Sequence, residues 1–98
     1  MNRTEAIAVL QRHADAVRRM GATSLYMFGS TARDEAKAGS DIDLFIDYDP
    51  AASFSIFDLA GIKQFLEEEL HSEVDVTTRD SLHPMLKAEI ETTAVRVF

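Results

Sequence analysis

Asp41 and Asp43 stand two residues apart in a segment, Asp41 to Tyr48, where polar and apolar residues alternate. On a strand that spacing places both carboxylates on one face, their Cβ atoms about 7 Å apart. Carboxylates held so close repel and raise each other's pKa. A hard divalent cation relieves that cost, and Mg²⁺ takes carboxylate and phosphate oxygens at about 2.0–2.1 Å. An acidic strand face simply bathed in water is the competing reading, and Asp47 and Asp49 extend it.

Two further places carry potential chemistry. Gly29-Ser30 follows a short apolar run, Ser24 to Phe28. A glycine there lets the backbone approach a ligand, and the amides opening the next helix become donors for phosphate oxygens, with the Ser30 hydroxyl as a further donor. Most Gly-Ser steps after a strand are turns and nothing more. Asp75 lies inside the alternating segment Glu73 to Thr77. If that strand pairs beside the Asp41–Asp43 strand, a third carboxylate joins the first two. Three carboxylates around two cations would clamp a triphosphate, activate an acceptor hydroxyl and stabilise leaving pyrophosphate. Alternation alone would equally leave Asp75 on a solvent face.

The elements that position these residues follow from periodicity. Ile7, Leu10, Ala14 and Val17 predict one amphipathic helix from about Thr4 to Met20, stopped by Gly21. Ser24 to Phe28 predicts a buried strand, with a short helix in the residues after Gly29-Ser30 and a turn at Lys37-Ala38-Gly39-Ser40. In Asp41 to Tyr48, Ile42, Leu44 and Ile46 face one way, and Asp41, Asp43, Phe45 and Asp47 the other. Ser55 and Asp58 form a capping box ahead of a helix whose apolar face is Leu59, Ile62, Leu66 and Leu70. Pro84 suits the first turn of another sizeable helix carrying Met85, Leu86 and Ile90, a stripe belonging to core or interface. Ala94 to Phe98 reads as an edge strand. The fold class expected is α+β (α/β mixed): a mixed sheet of about four strands with helices packed against it.

Composition bounds the rest. At 98 residues the chain has room for one domain, 1–98. Apolar residues make up 46% and charged residues 28%, an ordinary soluble balance. With no cysteine, disulfides and thiolate metal sites are excluded. The net charge of −7 argues against gripping nucleic acid directly through its phosphates, yet suits cation-mediated nucleotide binding and a basic protein partner. No signal peptide or membrane span is legible, so a cytoplasmic location is expected. His13, His71 and His83 lack ligand spacing and read as structural or surface residues. Arg79, in the loop after the third strand, could reach a nucleotide but more simply is solvated.

The run from Gly29, GSTARDEAKAGSDIDLFI, has the pattern G-S-x-A-R, a short spacer, then S-D-I-D-L. It closely resembles the signature of the nucleotidyltransferase superfamily typified by DNA polymerase beta and kanamycin nucleotidyltransferase, and within it the minimal nucleotidyltransferase (MNT) group. The resemblance spans nearly the whole chain. Its specific part is Gly29 to Leu44, with the third carboxylate in EVDVTT and a looser likeness in the C-terminal helix and AVRVF. It implies that Gly29 and Ser30 contact phosphate and that Asp41 and Asp43 bind metal. Asp75 would bind metal and help deprotonate the acceptor hydroxyl. Arg33 and Ser40 would serve near the phosphates or brace the loop, although Arg33 could instead pair with Asp34 or Glu35 on the surface. All these positions are unsubstituted.

The implied reaction is Mg²⁺-dependent transfer of a nucleoside monophosphate from a triphosphate, ATP, onto a hydroxyl, with a two-metal site. Larger relatives carry an acceptor-recognition domain that has no counterpart here, so the acceptor is expected from a protein bound in trans. MNT proteins resemble one half of two-gene modules whose other half is a HEPN-domain RNase toxin. The resemblance therefore implies an antitoxin transferring AMP to a hydroxyl, in some cases a tyrosine, of a HEPN partner. Two other readings stay open. One is a non-catalytic module that neutralises its partner by covering it. The other is a small-molecule transferase of the aminoglycoside type. The apolar positions of the last helix and strand leave room for homo- or hetero-oligomers. No residue stands out as reading the base.

Overall fold

The structure is a computed structural model that describes residues 2–35 and 41–98. Helix α1 (Arg3–Arg12) opens at Asn2, whose side-chain oxygen accepts the Glu5 amide at 2.8 Å, satisfying one of the donors a helix start leaves free. The single helix expected through Met20 is in fact two, α1 and α2 (Ala14–Arg19). The break falls at His13, whose amide turns back to the Leu10 carbonyl at 3.1 Å. Its ring meets Phe65 edge-on at 5.4 Å, and Nε2 lies 3.3 Å from the Glu69 carboxylate. These contacts hold His13 at the break, and amphipathic spacing carries no trace of them.

Four strands follow: β1 (Ala22–Phe28), β2 (Ile42–Tyr48), β3 (Val74–Thr78) and β4 (Val95–Arg96). They form one mixed sheet in the order β3-β2-β1-β4, the architecture expected. β1 is antiparallel to β2 and β4, whereas β2 and β3 run parallel. A parallel pair needs a crossover, and α4 (Ile56–Leu70) supplies it. The Ser55–Asp58 capping box starts that helix, with Asp58 Oδ2 accepting the Ser55 amide at 2.8 Å. Between β1 and β2 lies the single-turn helix α3 (Gly29–Ala32).

The last helix is shorter than expected. Pro84 sits in a turn before α5 (Lys87–Thr93), and that turn closes on His83. The His83 carbonyl accepts the Leu86 and Lys87 amides, both at 2.9 Å, and its Nδ1 accepts the Met85 amide at 3.2 Å. Met85 and Leu86 are 86% and 50% exposed, so that stripe is not core.

One face of the sheet forms the core. Leu25, Met27, Leu44, Ile46 and Val74 meet Leu10, Val17, Ile62 and Leu66 of the helices, all buried. Each large aliphatic side chain so buried contributes about 1.5–3 kcal/mol. The other face carries the acidic series, and there Phe45 is also fully buried. It is stacked on Tyr26 at 4.8 Å and tilted against Phe28 at 5.8 Å. No helix among the described residues is long and apolar enough to cross a membrane.

Candidate active site

Strand register decides which chemical groups meet. Asp43 pairs directly with Asp75 across the parallel β2–β3 ladder and with Phe28 across the antiparallel β1–β2 ladder. Adjacent strands lie about 4.8 Å apart, so the Asp43 and Asp75 side chains are neighbours on one face. Phe28 is the last residue of β1, which sets Gly29 at the same end of the sheet. Asp41 immediately precedes β2 and is exposed, as is Asp75, while Asp43 is partly buried. Gly29, Asp43 and Asp75 are thus brought together, with Asp41 one step beyond.

Gly29 is required by geometry as well as conformation. Its φ of 74° lies in the left-handed region, and a Cβ built on it would run into the Asp43 carboxylate, with Asp43 Cγ at 3.3 Å. Without a Cβ, Gly29 leaves its backbone free to lie against that carboxylate. The chain then turns into α3, whose first amides have no partners within the helix. Thr31 and Ala32 are buried and seat α3 on the sheet, and the Thr31 hydroxyl has no hydrogen-bond partner among the described residues. The turn closes with the Glu35 amide on the Ser30 carbonyl at 2.8 Å and the Asp34 amide on the Thr31 carbonyl at 3.1 Å. This double closure takes a left-handed residue after the helix end. Asp34 fills that place at φ 59°, its Oδ1 accepting the Arg3 amide at 3.1 Å.

Electrostatics single out Asp43. Burial raises its pKa above the ordinary carboxylate value, and the charges of Asp75 and then Asp41 push it further the same way. Arg33 opposes this from a distance. Arg33 itself is exposed and pairs with Glu35 at 3.1 Å, a surface contact worth little. The surface pairing open to it in the sequence is therefore present, with Glu35 as the partner. Ser40, and the turn expected at 37–40, lie outside the described residues.

The donor set at this end of the sheet is all carboxylate oxygen, and its concentrated negative charge already raises Asp43. Both properties fit a hard divalent cation. Among the described residues, no three Asp, Glu or His side chains converge into a ready-made cation cage.

One residue of this face is not the solvated loop cation that the sequence suggests. Arg79, in the 3₁₀ turn Arg79–Ser81 after β3, grips both Asp47 oxygens at 2.8 and 3.0 Å. It also donates to Glu91 of α5 at 2.7 Å. Its guanidinium lies 4.9 Å from the Tyr26 ring centre and 5.0 Å from that of Phe45, within cation–π range. Arg79 therefore caps the aromatic layer next to Asp43 and ties β2 to α5. The sequence signal was Asp47 itself, on the same strand face two residues beyond Phe45.

The profile of the nucleotidyltransferase domain family matches residues 10–97. A Methanocaldococcus jannaschii protein, provisionally named a protein adenylyltransferase, is 46% identical over 71 residues, covering 72% of this chain and 74% of its own length. The protein adenylyltransferase MntA of Thermococcus cleftensis is 33% identical over 79 residues, covering 80% of this chain and 78% of itself. A solved structure described as a minimal nucleotidyltransferase superposes with a TM-score of 0.74 at 32% identity, over 97% of this chain and 95% of that one. The fold is also similar to a chain in the complex of a tri-AMPylated Shewanella oneidensis HEPN toxin with its MNT antitoxin. There the TM-score is 0.66 at 19% identity, over 94% of this chain and 71% of that one. With the family profile spanning nearly all of its sheet and helices, the chain belongs to the nucleotidyltransferase domain family, in its minimal nucleotidyltransferase form.

Proposed function

We propose that the chain is a protein adenylyltransferase antitoxin, moving AMP from ATP onto a hydroxyl, in particular a tyrosine, of a cognate HEPN-domain RNase toxin and so neutralising it. The observation that carries this is the side-by-side placement of Asp43 and Asp75 beside the Gly29 turn. The adenylyltransferase names of the relatives and the AMPylated toxin in the complex of similar fold support the choice of nucleotide and acceptor.

Gly29 and Ser30 receive the triphosphate, with backbone amides and the Ser30 hydroxyl as donors to its oxygens. Asp41, Asp43 and Asp75 would hold divalent cation, Mg²⁺, which supplies positive charge to the triphosphate and to departing pyrophosphate. Asp75, exposed on the ladder edge, takes the proton of the acceptor hydroxyl. The acceptor oxygen then bonds to the α-phosphorus, the bond from the α-phosphorus to the bridging oxygen breaks, and pyrophosphate leaves. Arg33 exchanges its exposed Glu35 pair for phosphate at little cost. The cytoplasm, where ATP is plentiful, is the compartment proposed.

Co-expression with candidate HEPN toxins of the same organism tests this. Wild type should rescue growth and leave AMP on a toxin tyrosine, seen by mass spectrometry, whereas Asp41→Ala/Asp43→Ala should do neither. Equal rescue by that variant with an unmodified toxin would mean neutralisation by binding alone.

A further inference from the structure

At the far end of β2 from Asp43, a hollow of about 380 Å³ opens between the sheet and the start of α4. Its apolar walls are Tyr48, Phe54, Ile56 and Leu59, and the polar groups beside them include Thr78 and Asp80. Tyr48 and Phe54 stack at 5.0 Å, and the Tyr48 hydroxyl donates to Asp80 at 2.9 Å, so the floor is rigid. Ile56 is 74% exposed, and Phe57 beside it is 83% exposed. Two adjacent large apolar residues left in water next to a lined hollow are the pattern of a docking surface.

Charge decides the occupant. Asp80 lines the hollow, Asp58 lines the neighbouring one with Phe54, and Asp49 is exposed just after Tyr48. Against these stand Arg19 and Lys87 at the margins, while Arg79 beside Lys87 is taken up by Asp47 and Glu91. The local balance is negative and the chain as a whole carries −7. A second copy would bring the same charge to the contact, so a basic partner is favoured.

We infer that this hollow docks a basic segment of the acceptor protein, one that seats a large apolar side chain between lysines or arginines. This rests on the protein-acceptor reading above and adds where the acceptor is held. Asp43 and Tyr48 are five residues apart on β2, about 17 Å. The two side chains face opposite sides of the sheet, so a protein gripped at Tyr48 presents its hydroxyl to the carboxylates by passing round the edge strand β3.

The test uses a synthetic leucine/lysine amphipathic peptide without hydroxyl groups, its leucine/glutamate counterpart, and the full chain as wild type and as I56S/F57S. Both substituted side chains are exposed, so the variant should keep the wild-type melting temperature and charge. The lysine peptide should bind wild type at least about tenfold more tightly than it binds the variant, with chemical-shift changes at Tyr48 and Leu59. The glutamate peptide should not bind. Equal binding to the variant would overturn the site, and equal binding of the glutamate peptide would overturn the basic partner. Self-association of wild type that I56S/F57S abolishes would assign the surface to a second copy, against the inference. Asp43→Asn should bind the lysine peptide like wild type, so docking is judged separately from AMP transfer.

Discussion

The space that a side chain on Gly29 would need is already filled by the carboxylate of Asp43. The Gly29 turn and the β2 carboxylate are therefore one unit, in which the backbone lies against the acid because nothing stands between them. Gly29→Ala would have to adopt a left-handed φ and also push Asp43 aside. The expected cost is about 1–3 kcal/mol of stability. Displacing a reacting group by about 1 Å costs on the order of 100-fold in rate. Thermal melting and label transfer on one preparation check both.

The raised pKa of Asp43 makes a statement about stability. In the acidic range between the unfolded and folded values, the native state binds the extra proton. Stability from this group is therefore greater at low pH and falls as pH rises through the folded value. Asp43→Asn should raise the melting temperature at neutral pH and flatten this part of the pH profile. Mg²⁺ should stabilise wild type and do so less for the variant. Scanning calorimetry across pH, with and without Mg²⁺, reads all three effects.

Arg79 offers a prediction away from the reacting groups. Removing it strands Asp47 and Glu91 and uncovers the Tyr26–Phe45 stack. Arg79→Ala should cost about 2 kcal/mol, in line with hydrogen bonds to charged groups. Arg79→Lys should recover less than half, because an ammonium cannot make the two-pronged contact or lie flat on the rings. Urea denaturation of the pair decides it, and a lysine variant as stable as wild type would contradict the account.

What the sequence made legible was local. The alternation that places Asp41 and Asp43 on one face, the Ser55–Asp58 box and the turn at Gly29 each depend on residues a few positions apart. The four-stranded mixed sheet followed from their order. The break at His13 was hidden because the residues that His13 meets there, Phe65 and Glu69, lie on α4, more than fifty positions away. Phe45 looked like a member of an acidic face because its cover comes from β1 and from Arg79. The neighbourhood of Asp75 and Asp43 was open for a similar reason, since alternation gives a strand's face but not its neighbour. The late start of α5 was not legible either, since a turn closed on the His83 carbonyl occupies the residues that Pro84 was expected to open as helix.

The central claim is transfer of the nucleotidyl group, and the position of the label in ATP tests it most directly. The protein is incubated with Mg²⁺, a candidate HEPN acceptor and ATP labelled at either the α- or the γ-phosphate, beside Asp43→Asn and Asp75→Asn. Protein-bound label is expected from α-labelled ATP only, with release of unlabelled pyrophosphate, and is expected to be lost in both variants. Label arriving from the γ-phosphate, or transfer undiminished in the two variants, would contradict the central claim.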